Sequence, residues 1–225
     1  MKSCRVRQMV ARLTVILLVG ALASLLGTHP AHATSTLNIT ATVNNLAQIN
    51  ITIGNQTYNP AYAGSIVPSY LDGTPLPFLY CVDVLHDIYI PGTYYSTSVN
   101  INGIIHNSPI NNASKVTGLL DLYANSATGN TNKTAALQVA IWEVMYGTQA
   151  IYLNGPVSVL NELNYIHSHG SGIGSVGNYT WLSPVDAHGV QMQGLVTRVP
   201  EPGSTLLLAC ALSGLFGVGW WCRKR

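Results

Sequence analysis

Charged side chains are scarce in this sequence: 225 residues carry only ten Lys and Arg and eight Asp and Glu. Most of the bases lie at the two ends. Between Thr34 and Arg198 three bases (Lys115, Lys133 and Arg198) stand against seven acids (Asp72, Asp83, Asp87, Asp121, Glu143, Glu162 and Asp186), a net charge of −4. A nucleic-acid surface needs clustered Lys and Arg, so nucleic acid is excluded as a partner. Asn, Thr, Ser, Gly and Tyr take the place of charges, as is common in secreted β-rich domains. Six Asn-x-Ser/Thr sequons, beginning at Asn38, Asn50, Asn55, Asn112, Asn132 and Asn178, express that composition.

Cysteine is nearly as rare. Cys4 lies near the start and Cys210 and Cys222 near the end, which leaves Cys81 alone in the long middle segment. No disulfide can form within that segment, and a single thiol in an oxidising compartment is a liability unless buried or used. The middle segment also lacks a Gly-rich phosphate cradle, a nucleophile elbow and zinc-ligand spacing. Asp83, Asp87 and Glu143 do not by themselves make a general-acid pair. A turnover enzyme is therefore not expected, and no cofactor is called for. His167 and His169 would share a face on a strand and could bind a metal there, but no third ligand is evident.

Long apolar runs occur only at the ends. Lys2, Arg5, Arg7 and Arg12 surround a start that leads into the run Leu13 to Leu26. That run suits a signal-peptide core better than a membrane span. Ala31-His32-Ala33 reads as the small-x-small cleavage site, with Ala33 the last residue removed. At the other end, Val199-Pro200-Glu201-Pro202 is a segment that refuses helix. The uncharged stretch from Ser204 to Cys222 is long enough to cross a bilayer, and Arg223-Lys224-Arg225 closes it with positive charge. The expected organisation is a signal peptide over 1–33, an exported domain over 34–198 and a sorting signal over 199–225 with a transmembrane helix at about 204–222.

Pro-Glu-Pro, an apolar helix and a basic cluster, in that order, resemble the PEP-CTERM sorting signal of Gram-negative bacteria. The resemblance implies an exosortase-type sorting enzyme as partner and an inner-membrane-anchored precursor. It also implies delivery to the cell surface or an exopolysaccharide matrix.

Within the exported segment, apolar and polar residues roughly alternate from Leu37 to Ile53 across Asn44-Asn45, which predicts two strands of a hairpin. Pro68, Asp72-Gly73, Pro75 and Pro77 predict a loop. Phe78 to Leu85 predicts a buried strand carrying Cys81. A short strand follows the Pro91-Gly92 turn, and another is predicted over Val99 to Ile105. Around Asn111 the period becomes helical, with Ala113, Val116, Leu119, Leu120 and Tyr123 in phase. A second helix carries Leu137, Ala140, Ile141, Val144 and Met145, with Thr131 to Thr134 offering caps and Gly147 ending it. Pro156 opens a third helix to about Ile166. Gly170 to Gly177 reads as a flexible loop, and Tyr179-Thr180-Trp181 and Val190 to Val196 supply closing strands. The fold class is α+β, a β-sandwich or barrel with a helical insertion.

Two segments stand out, Tyr80-Cys81-Val82-Asp83 and Leu137-Gln138-Val139-Ala140-Ile141-Trp142. Together they resemble the paired motifs of thioester domains, the Cys–Gln modules of Gram-positive surface adhesins. The resemblance implies that Cys81 supplies a thiol and Gln138 a carboxamide acyl donor. Thiolate attack on the amide with loss of ammonia leaves an internal thioester, a stored electrophile for a partner's amine or hydroxyl. Tyr80, Trp142 and Tyr146 are candidates for a wall that excludes water, Asp83 for orienting the motif, and His86 for a base or acyl shuttle. The 57-residue interval from Cys81 to Gln138 is shorter than in those adhesins. The residues read equally as an amphipathic helix beside a buried thiol. Two functions stay open: a covalent adhesin, or a non-reactive envelope or exopolysaccharide-matrix component that binds carbohydrate. An exopolysaccharide-acting enzyme would need a carboxylate pair in a cleft.

Overall fold

The computed structural model describes residues 34–147 and 150–198. The signal-peptide cleavage residue Ala33, the sorting motif Val199-Pro200-Glu201-Pro202 and the apolar stretch 204–222 lie outside the described residues. Among those described, no helix is long and apolar enough to cross a membrane. The architecture is mixed α+β.

The strands are β1 (Thr34–Ile39), β2 (Ala47–Ile53), β3 (Gln56–Ala63), β4 (Ser69–Leu71), β5 (Thr74–Pro75) and β6 (Tyr80–Cys81). They continue with β7 (Gly92–Asn100), β8 (Ile104–Ile105), β9 (Ser108–Pro109), β10 (Ala150–Asn154), β11 (Tyr179–Ser183) and β12 (Leu195–Arg198). Seven form one sheet in the order β5-β4-β1-β7-β11-β12-β6, curled as a half-barrel. β10-β2-β3 form a second sheet, and β8-β9 a small hairpin.

The hairpin expected across Asn44-Asn45 does not form. A 3-10 turn over Val43–Asn45 redirects the chain, so β1 pairs with β4 and β7 while β2 pairs with β3 and β10. Each strand keeps its alternating burial, but the turn sends the two apolar faces into different sheets. The stretch read as a Pro-rich loop contains the β4–β5 hairpin, turned at Asp72 and Gly73, both at positive φ. The strand predicted over Phe78 to Leu85 shrinks to Tyr80–Cys81, because the chain leaves the sheet at Asp83. The last strand starts only at Leu195 rather than Val190.

All three expected helices are present. α1 (Ala113–Leu119) runs on through a π-turn at Leu120–Ala124. α2 (Thr131–Tyr146) is capped by Asn130, whose side chain accepts the Lys133 N–H, and stops at Gly147 with φ 61°. The cap is thus Asn130 and not a threonine hydroxyl. α3 (Val157–His169) follows Pro156 and extends three residues beyond Ile166. α2 packs against α1, α3, β2, β3 and β10, and every residue from Thr134 to Trp142 is buried. The helix is therefore wrapped on all sides rather than along one stripe, and Gln138 is carried into the interior with it.

Candidate functional site

The site begins with a strand edge. β6 is the last strand of the large sheet and pairs on one side only, with Cys81 opposite Leu195 and Tyr80 opposite Val196. The Val82 N–H donates to the Gly194 carbonyl at 2.9 Å, so the Cys81–Leu195 pair is a non-hydrogen-bonded one. The backbone N–H and C=O of Cys81 consequently point to the open edge. Buried and unpaired, they would each cost about 1–3 kcal/mol.

Gln138 closes that edge. The Cys81 N–H donates to Gln138 Oε1 at 2.9 Å, and Gln138 Nε2 donates to the Cys81 carbonyl at 2.7 Å. One carboxamide thus stands in for a neighbouring strand, and Gln138 is 1 % exposed. The structure brings Cys81 and Gln138 together as the sequence motifs suggested, but the contact is with the Cys81 main chain.

The sulfur meets a different carboxamide. Cys81 Sγ donates to Gln193 Oε1 at 2.9 Å. The register explains it: Leu195 lies opposite Cys81, and a period of two returns Gln193 to the same face, diagonally across from the thiol. The Gln193 N–H is held by the Asp87 carbonyl at 3.0 Å. Gly194 lets the strands close here, since a Cβ on it would lie 2.3 Å from Ile105 Cγ2. Gln193 carries no local signal in the sequence. It becomes visible only once β6 and β12 are paired.

Burial, and then the Asp83 carboxylate, push the Cys81 thiol well above its ordinary range, so the resting sulfur is protonated. A cavity of about 350 Å³ opens on it, lined by Cys81, Gln193, Trp142, Tyr58, His86 and Asp87 among others. Trp142, one turn beyond Gln138 on α2, is 1 % exposed, and its Nε1–H has no hydrogen-bond partner. Tyr146 accepts the Val84 N–H at 3.3 Å, and burial above all pushes its hydroxyl up to about 12. Of the three aromatics proposed as the thiol's wall, Trp142 lines its cavity. Tyr80 does not: successive strand residues face opposite ways, and Tyr80 lines a separate cavity of about 210 Å³ with Phe78 and Thr134.

Asp83 sits two residues beyond Cys81 and accepts the Leu85 N–H at 2.9 Å through Oδ1. Its Oδ2 is 2.5 Å from His86 Nδ1 and 3.5 Å from His106 Nε2. Burial alone would raise the Asp83 pKa. The His106 imidazole, the Leu85 N–H and His86 together outweigh it and hold the carboxyl below its ordinary value. His106 was not singled out in the sequence, and its approach to Asp83 depends on the β8–β9 turn. His167 and His169 lie on α3 and not on a strand, so their spacing of two points them apart. His167 pairs with Glu143 at 2.6 Å and His169 stacks on Tyr165.

No family model matches the chain, and no curated protein or solved structure matches it.

Proposed function

We propose that this is an exported, surface- or matrix-sorted protein whose β-rich domain forms an internal cysteine thioester and attaches covalently, once, to an amine or hydroxyl. In this reading the fold is thioester-domain-like. Residues 1–33 direct export, and 199–225 anchor the precursor and present Pro200-Glu201-Pro202 to an exosortase-type enzyme. The acyl donor is Gln193 and not Gln138. The observation that carries the reading is the 2.9 Å contact of Cys81 Sγ with Gln193 Oε1, in a cavity large enough to admit a small nucleophile.

Closure forms the bond from Cys81 Sγ to the Gln193 carbonyl carbon and breaks that carbon's bond to nitrogen. The thiol proton leaves with the nitrogen as ammonia. Because burial disfavours a free thiolate, the proton has to leave the sulfur as it attacks; the S–H already donates to the carbonyl oxygen of the amide under attack, and the proton ends on the departing nitrogen. An amine then opens the thioester, forming an amide to residue 193 and returning a proton to sulfur. Gln138 is a positioning residue: with both ends of its amide on the Cys81 backbone, it fixes the strand from which the thiol projects.

The full chain held in detergent should take up a fluorescent primary amine in a single covalent equivalent, mapping to the peptide that contains Gln193. Label on Gln138, or none on the folded protein, would overturn this assignment. The protonated, buried thiol favours the second reading, a non-reactive envelope or exopolysaccharide-matrix protein. That reading requires an unmodified Cys81 and no adduct.

A further inference from the structure

We propose that Asp83, His86 and His106 form a binding site for one divalent transition-metal ion, with Zn²⁺ the best match to the donor set. Three donor atoms converge: one carboxylate oxygen and one ring nitrogen from each histidine all lie within 4.8 Å of one another. They come from two separate stretches, the chain leaving β6 and the turn between β8 and β9.

The arrangement leaves a polar atom unsatisfied. His106 Nε2 is buried 3.5 Å from Asp83 Oδ2, near enough to favour the carboxylate but without a well-formed hydrogen bond, and the side chains of both residues are 11 % exposed. An orphaned imidazole nitrogen aimed at a carboxylate oxygen carries a desolvation cost that a cation between them removes. The two imidazole rings lie 5.1 Å apart, centre to centre, and each places a nitrogen within 3.5 Å of that oxygen. Donors around a tetrahedral zinc stand about 3.3 Å from each other, given metal–ligand bonds near 2.0 Å. The His106–Asp83 separation already fits. The His86–Asp83 pair, at 2.5 Å, has to open, and His86 is the more exposed partner at 39 %.

The surroundings are built to hold these groups. Asp83 Oδ1 is occupied by the Leu85 N–H, which turns Oδ2 toward both rings. The His106 backbone N–H donates to Ser183 Oγ at 3.0 Å, tying the turn to β11. Gly194 packs against Ile105 and the Asp83 Cβ, so the two ligand-bearing stretches meet closely. Two imidazoles and one carboxylate suit zinc, cobalt or iron rather than calcium or magnesium, which prefer all-oxygen shells. Three protein ligands leave a fourth position for water or for an oxygen of a bound partner. Of the three ligands, His86 also lines the cavity that holds Cys81 and Gln193.

The test uses the full chain without an affinity tag, in detergent, stripped with a chelator and titrated with Zn²⁺ by calorimetry. One ion per chain is expected. His106→Gln should weaken binding at least about tenfold, while His167→Gln, which alters only the exposed pair with Glu143, should leave it unchanged. Absence of one-to-one binding, or equal loss in both variants, would overturn the site. Should His106→Gln fail to fold, Co²⁺ bound to the unaltered chain decides. Visible bands without a thiolate charge-transfer band support the His–His–Asp set. A thiolate band would place the ion on a cysteine and refute it.

Discussion

Two glutamines converge on Cys81 from different parts of the molecule. Gln138 arrives from a buried helix and takes both main-chain groups of an edge strand. Gln193 arrives on the segment leading into the neighbouring strand β12, diagonally opposite, and takes the sulfur. The functional groups are identical and the consequences differ. Where a carboxamide replaces missing strand hydrogen bonds, removing it exposes buried backbone. Where it meets only a thiol, removing it changes chemistry and leaves the sheet intact. The α2 side of the site is therefore a structural support, and under the proposed function the β12 side is the reactive face.

The largest effect expected from altering either side belongs to Trp142. Its truncation to Ala empties a fully buried position on α2 and should cost about 3–5 kcal/mol in denaturant unfolding. Gln138→Ala should follow at about 2–4 kcal/mol, since it strands the N–H and the C=O of Cys81 together. Gln193→Ala should cost about 1 kcal/mol or less, the scale of a single hydrogen bond, yet eliminate amine uptake entirely. If Gln193→Ala proves the more destabilising of the two glutamine variants, the division between support and reactive face fails.

The smallest effect is a pH dependence. The folded Asp83 pKa lies below its unfolded value near 3.9, so its contribution to stability is complete above about pH 4 and is lost as pH falls through the lowered folded value. Asp83→Asn should flatten the acid limb of a stability-versus-pH curve measured by thermal unfolding. An unchanged limb would show that other carboxylates carry it.

Much of the scaffold could be read from the sequence. Helical phase at Leu137, Ala140, Ile141 and Val144 gave α2, and Pro156 gave the start of α3. The hairpin at Asn44-Asn45 was misread because alternation shows that a strand exists but not which sheet receives it. The site was half legible. Cys81 and Gln138 stand in recognisable motifs and do meet, although their meeting through the backbone could not be foreseen from spacing. Gln193 and His106 were invisible for one reason: each reaches its partner through strand register or a turn, with no local pattern to mark it. The adjacent pair His167 and His169 drew notice as a metal motif, yet a helix separates them, while His86 and His106 converge from twenty residues apart.

The central claim is tested most directly by the intact mass of the full chain, set against the mass its own termini dictate, before and after methylamine. The account predicts a mass low by one ammonia that then rises by one methylamine, with neither change in Gln193→Ala. A mass equal to the plain sequence, with Cys81 alkylated one-for-one after denaturation, would contradict it.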